Sequence, residues 1–156
     1  MSEIQSVKRL RALLGVHLNG HGARLDFLAR FILALFQVRS VNRARLAPVL
    51  STRAKTRSND IRLQRFFRQC VIDQADIART VASLLPKESP WILTLDRTHW
   101  KLGRMEINLL VLGVAYHGLA IPLFWTALAK AGHSNTAERM ALLTHGQQTF
   151  PTRRVA

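Results

Sequence analysis

Residues 107–125, INLLVLGVAYHGLAIPLFW, limit the possible folds of this chain most strongly, because these 19 residues carry no formal charge. A run of this length is close to that of a membrane-spanning helix. It also contains Asn108, His117 and Pro122, and its centre, YHGLAIP, has the composition of a turn. We therefore predict two buried β-strands joined by that turn, with a single membrane helix as the alternative.

The residues on both sides of this run extend the predicted sheet. WILTLD at 91–96 is typical of a strand, THWKLGR of a tight link, and LAIPLFWTAL of a further strand. Three successive strands of this kind predict an antiparallel meander. The segment NTAERMALL then begins a helix, with Asn135 as its N-cap and Glu138 completing a capping box.

The first 86 residues are predicted to be helical, with helices near 23–38, 41–50, 60–70 and 74–85. Asn59 or Asp60 is the predicted cap of the third of these. In the first and third helices, the residues predicted to face the core are Leu25, Leu28, Ile32, Leu35 and Phe36, and Ile61, Phe66, Phe67 and Cys70. Residues 87–90 are predicted to be a linker, 91–143 the sheet region, and 144–156 a divergent tail without helix or strand pattern. The expected fold class is α+β.

The charge of the chain indicates a polyanionic partner. Lysine and arginine total 23 against 9 acidic residues, a net charge of +14, which favours nucleic acid over a merely basic surface. Residues 39–68 hold nine basic side chains and one acid, Asp60. Within them, a row at steps of three and a basic turn before it are the predicted phosphate contacts: Arg62, Arg65 and Arg68, and Arg53, Lys55 and Arg57.

Cysteine and histidine give weaker signals. Cys70 is the only cysteine, which excludes a disulfide within the chain, and its apolar setting favours a buried thiol over a nucleophile. His17 and His21 have the spacing of metal ligands on a helix, but the glycines around them argue against that helix.

The N-terminus has no apolar signal-peptide core, so a cytoplasmic protein is expected.

The stretch from Leu93 to Leu143 resembles a known family. DRT-W at 96–100, G-AIPL-W at 118–125 and SN---R--LL at 134–143 are similar to the opening of the catalytic domain of insertion-sequence DDE transposases, in the branch with a Tyr-Arg-Glu-Lys signature. RLQRFFR at 62–68 is similar to the family's N-terminal DNA-binding segment. The resemblance covers roughly residues 10–143. It implies an RNase H-like core of which only the first strands and a helix are present.

The resemblance also implies roles for single residues. Asp96 matches the first catalytic aspartate, a ligand of the two Mg²⁺ or Mn²⁺ ions with which the family cuts and joins DNA. Arg97, Thr98 and Trp100 match its supporting motif, with Trp100 expected to pack and Arg97 to meet a phosphate or a carboxylate. His99 is expected to occupy space in the motif and not to bind a metal ion. The implied partner is the double-stranded DNA of transposon terminal repeats, in a nucleoid-associated bacterial protein.

The family's other two catalytic acids have no counterpart here. The only acids after Asp96 are Glu106 and Glu138, and the Tyr-Arg-Glu-Lys segment is absent. We therefore expect a transposase shortened by a frameshift or stop, with little or no strand cleavage. The alternative is a non-catalytic DNA-binding protein, such as a repressor that competes for transposon ends. Self-association or pairing with intact transposase is possible in either case.

Overall fold

The computed structural model describes residues 3–50, 54–86, 90–129 and 134–156. It consists of two compact units, Met1–Asp73 and Gln74–Ala156, which we call the helical unit and the sheet unit. Together their described parts contain six helices and one three-stranded antiparallel sheet, so the predicted α+β class is confirmed. No helix in the described part of the chain is long and apolar enough to cross a membrane.

The helical unit contains α1 (Glu3–Leu14), α2 (Gly22–Val38), α3 (Arg43–Leu46) and α4 (Thr56–Gln69). Its core is formed by α2, α3, the turn after α3, and α4, through Phe27, Ala34, Leu46, Ala47, Leu50 and Leu63. His17 and His21 lie between α1 and α2, not on a helix, and His21 instead accepts a hydrogen bond from the Ala23 N–H at the start of α2.

The predicted cap of α4 is wrong, because the helix begins several residues earlier than expected. Its N-cap is Lys55, which makes no side-chain cap bond. Asn59 is fully buried, and its Nδ2 donates to the Ala47 carbonyl at 2.9 Å, which ties α4 to the turn after α3. Asp60 accepts instead from Arg43 Nε at 2.6 Å.

The core-facing sides of α2 and α4 also differ from the prediction. Phe36, Ile61 and Phe67 are exposed, at 75%, 48% and 58%. Both helices carry apolar residues on more than one side, so the periodicity alone does not determine which side of each helix faces the core. Packing against α3 settles it, because Leu46 and Leu50 meet the side of α4 that carries Asn59 and Leu63.

The sheet unit contains α5 (Gln74–Ala82), β1 (Leu93–Leu102), β2 (Met105–Tyr116), β3 (Leu119–Ala127) and α6 (Thr136–Thr149). The sheet order is β1-β2-β3, and both pairings are antiparallel, as the predicted meander requires. The turn at His117 and Gly118 has positive φ at both residues, 47° and 78°, which is the geometry of a two-residue type I′ hairpin. The uncharged run 107–125 is therefore two strands and a turn.

One face of the sheet carries the core of this unit. Helices α5 and α6 pack on that face. The buried residues there are Ala78, Leu85, Trp91, Leu110, Leu112, Val114, Leu123, Phe124 and Leu142. A β-bulge opposite Leu112 and Gly113 lets the consecutive Leu123 and Phe124 both turn inward.

Three predicted boundaries need correction. The unit boundary follows Asp73 rather than residue 86, because α5 packs on β3 and Gln74 Nε2 donates to the Trp125 carbonyl at 3.0 Å. Strand β1 continues through the predicted link to Leu102. The segment 144–156 is not without structure, since α6 extends to Thr149 and Val155 forms a parallel bridge with Trp91. Most of the predicted linker, residues 87–89, lies outside the described residues.

Candidate nucleic-acid interface

The basic residues predicted on and before α4 are exposed and uncompensated. Lys55, Arg57, Arg62, Arg65 and Arg68 are all exposed, and within the described part of the chain no salt bridge joins any of them to a carboxylate. Arg53 lies outside the described residues. The one acid of this segment, Asp60, is engaged by Arg43, so it does not neutralise the arginines of α4.

The arginine row does not point in a single direction. A step of three residues rotates the side chain by about 60° less than a full turn, so Arg68 lies far around the helix from Arg62. Arg62 and Arg65 line a groove of about 220 Å³ in which Arg68 takes no part. The groove, which we call the α2–α4 groove, is bordered by Ala23, Arg24 and Phe27 of α2 and by Arg62, Arg65, Phe66, Gln69 and Cys70 at α4 and its C-cap.

Phe27 lies beneath the guanidinium of Arg62, and Phe66 packs beside Phe27. The two rings are 4.9 Å apart between centroids, and the Arg62 guanidinium lies 5.4 Å from the centroid of Phe27. A guanidinium over an aromatic face keeps its N–H donors in its own plane, free for a second partner. The groove therefore combines an apolar floor with guanidinium groups at its rim, a combination suited to an oxyanion such as phosphate.

Arg24 was missed by the sequence reasoning. It lies on α2, outside the basic segment 39–68, and is exposed at the groove. A signal was available, because Asp26 and Arg30 have the i, i+4 spacing of a helix salt bridge and do form one, at 2.9 Å. Because Asp26 is paired with Arg30, Arg24 is left as the basic residue of α2 without an acidic partner on its own helix.

Cys70 lies at the end of the same groove, half-buried and in no disulfide. The predicted burial is therefore only partial. Nothing beside it in the groove resembles the base that a nucleophilic thiol requires, since its neighbours there are arginine, glutamine and phenylalanine.

In the sheet unit, Asp96 lies on β1, on the face of the sheet opposite α5 and α6. Alternation along the strand places Thr94, Thr98 and Trp100 on the same face, beside a concavity of about 370 Å³. Its remaining lining residues are Leu109, Val111, Gly113, Ala120, Pro122 and Trp125. Asp96 is exposed, and its Oδ1 accepts a hydrogen bond from the backbone N–H of Arg97 at 2.8 Å.

The motif around Asp96 is divided between the two faces. Thr98 and Trp100 share the face of Asp96, whereas Arg97 and His99 belong to the opposite one. Trp100 is 56% exposed, so the expectation that it packs is wrong. His99 lies 3.8 Å from Glu106 at the far end of the hairpin.

The acids of this unit do not form the donor set that two divalent cations need. Glu106 is five positions along β2 from Val111, the partner of Asp96, which corresponds to roughly 17 Å. Glu138 is engaged in the capping box of α6 with Asn135, as predicted. Across residues 3–50, 54–86, 90–129 and 134–156, no three His, Cys, Asp or Glu side chains are grouped closely enough to hold a metal ion. The described residues of this unit therefore do not fit the two-metal centre that the resemblance implies.

Comparison with known proteins gives no relative on which to base a family assignment: no family model matches the chain, and neither do the curated proteins or the solved structures.

Proposed function

We propose that this chain binds double-stranded DNA through the α2–α4 groove of its helical unit. The observation that carries the proposal is the set of arginines at the groove, Arg24, Arg62 and Arg65, which have no carboxylate partner in the described part of the chain. Phosphate contacts of this kind provide affinity and a steep dependence on salt, with little choice of sequence.

The net charge of +14 supports the same partner. Arg57 and Arg68 lie on the side of α4 that points away from its core, where they extend the positive surface beyond the groove. A duplex carries phosphates at regular intervals on both strands, so a surface of this extent engages several of them at once.

The resemblance of residues 93–143 to insertion-sequence DDE transposases suggests which DNA is bound. We propose transposon terminal repeats, with the chain descended from an RNase H-like transposase. The isolated Asp96 favours a non-catalytic role, in which the chain occupies transposon ends and competes with an intact enzyme. The second candidate, a strand-cutting transposase, is supported by the motif residues 96–100 alone.

The test is a fluorescence-anisotropy titration against a terminal-repeat duplex and a scrambled duplex of equal length, at two salt concentrations. The proposal predicts tighter binding to the repeat, and a weaker and less salt-dependent interaction for Arg62→Ala/Arg65→Ala. The charge-matched control is Arg30→Ala/Arg79→Ala, because each of these two arginines pairs with an acid of its own helix, Arg30 with Asp26 at 2.9 Å and Arg79 with Asp76 at 2.6 Å. If the control and the groove variant lose affinity equally, binding depends only on the net charge of the chain. That result would contradict the proposed site.

A further inference from the structure

The outer edge of β1 is only partly covered. Among the described residues, β2 is the one long partner of β1, so β1 is an edge strand of the sheet. The Ile92 carbonyl accepts from the Ala115 N–H at 2.8 Å, so the main chain of Ile92 faces β2. Backbone groups alternate along a strand, and the main chains of Trp91, Leu93, Leu95 and Arg97 therefore face outward.

Within this row, the N–H groups on either side of Leu93 and Leu95 already have partners. The Trp91 N–H donates to the Arg154 carbonyl and its carbonyl accepts from the Ala156 N–H, both at 2.9 Å, which begins a parallel ladder. The Arg97 N–H donates to Asp96 Oδ1. Between them, no backbone group of the described residues pairs with the outward N–H and carbonyl groups of Leu93 and Leu95.

A pocket lies beside this open stretch, on the core side of the sheet. Its volume is about 300 Å³, and its lining is predominantly apolar, including Leu93, Leu112, Leu143 and Phe150. Trp91 also lines it, 6% exposed, and its buried indole Nε1 has no acceptor among the described residues. A large apolar side chain beside Leu93 would fill this space, and the accompanying main chain would bring carbonyl oxygens near the indole.

We propose that the β1 edge is a docking site for an extended segment of another protein, added parallel to β1 with a large apolar side chain in the pocket. The direction follows from the bridge between Trp91 and Val155, which the new strand continues along Leu93 and Leu95. Backbone hydrogen bonds supply affinity in this mode of recognition, and the pocket supplies the preference for an apolar residue.

Charge selects the kind of partner. Arg97 and the Arg154 that pairs with Trp91 flank the open stretch, and the whole chain carries a net charge of +14. A second copy would bring the same excess of positive charge to the edge, which opposes self-association. An acidic segment is attracted by the same positive charge, so we assign the site to an acidic partner.

The test follows backbone amide exchange in the full-length chain, residue by residue, during titration with the acetylated peptide Glu-Val-Thr-Ile-Thr-Val-Glu. A peptide of the same composition without alternation, Val-Val-Ile-Thr-Thr-Glu-Glu, is the matched control. Exchange at Leu93 and Leu95 is expected to slow by at least about tenfold with the alternating peptide, as for amides that gain a strand partner. The control peptide is expected to leave both amides unchanged.

Two variants separate the edge from other binding surfaces. Leu95→Pro removes an outward N–H without removing a bond of the β1–β2 ladder, and Leu143→Trp fills the pocket from α6. Each is expected to abolish the protection at Leu93. Three results would overturn the proposal: no protection by the alternating peptide, protection that persists in both variants, or protection without peptide that increases with protein concentration, which would identify a second copy as the occupant.

Discussion

Asp96 Oδ1 accepts a hydrogen bond from the backbone N–H of Arg97 across 2.8 Å. The N–H belongs to the outward row of β1, so the carboxylate satisfies a donor at the open edge of the sheet. Asp96 thus has a structural partner within its own strand. Its neighbours along β1 on that face are Thr94, Thr98 and Trp100, which are poor substitutes for the carboxylates of a two-metal site.

We expect no metal-dependent strand cleavage by this chain, because Asp96 is the only carboxylate on its face of the sheet among the described residues. The measurement is conversion of supercoiled plasmid to the nicked form in Mg²⁺ and in Mn²⁺, with wild type and Asp96→Asn side by side. Identical traces for the two proteins are the expected outcome. Nicking by wild type that disappears in the variant would assign Asp96 a catalytic role and refute the account.

Replacement of Asn59 by alanine is expected to destabilise the helical unit by about 2–3 kcal/mol. Asn59 is fully buried, and its loss leaves the Ala47 carbonyl without the donor that it now meets at 2.9 Å. Urea denaturation followed by helical circular dichroism measures the change. Asn19→Ala is the control, because Asn19 is exposed and between helices, and it should unfold like wild type. Equal midpoints for the two variants would show that the buried amide contributes nothing.

Substitution of Gly113 by alanine is expected to destabilise the sheet unit by about 1–3 kcal/mol. A Cβ at this position would lie 2.8 Å from the Ile121 carbonyl oxygen and 3.0 Å from Thr94 Oγ1. Adding Thr94→Ala to the Gly113 variant should restore little of the lost stability, because the nearer obstacle is the backbone oxygen of Ile121. Thermal unfolding of the single and double variants measures this.

Gly20→Ala is the matched control for Gly113, since its Cβ would meet only Leu25 side-chain atoms, at 3.4 Å and beyond. A Gly113 variant as stable as the Gly20 variant would mean that β2 and β3 can separate locally at the bulge without cost.

The sequence predicted the sheet well because its signals are local. The turn at His117 and Gly118 and the capping box of Asn135 with Glu138 each involve residues within four positions of one another, and both are present. The end of β1 was placed too early, because THWKLGR contains polar residues typical of a link. Pairing with β2 as far as Leu102 and Met105 outweighs that composition.

The rotation of α4 and the boundary of the units depend on contacts that are distant in sequence. Phe67 and Leu63 are equally apolar, and only the position of Leu46 decides which of them is buried. The same holds for the candidate interface. Arg62 and Arg65 follow from their spacing. The pairing of Asp26 with Arg30 marks Arg24 as uncompensated, but only the packing of α2 beside α4 places it at the same groove as Arg62 and Arg65.

The most direct test of the central claim, that DNA binds at the α2–α4 groove, is the affinity of Arg24→Ala for a terminal-repeat duplex, measured beside Arg62→Ala and Arg79→Ala. Arg24 is 38 positions from Arg62 and shares only the groove with it. The account predicts that Arg24→Ala and Arg62→Ala weaken binding to a similar degree and each lower the salt slope by about 1, while Arg79→Ala does neither. An Arg24→Ala chain that binds like the Arg79→Ala control would contradict it.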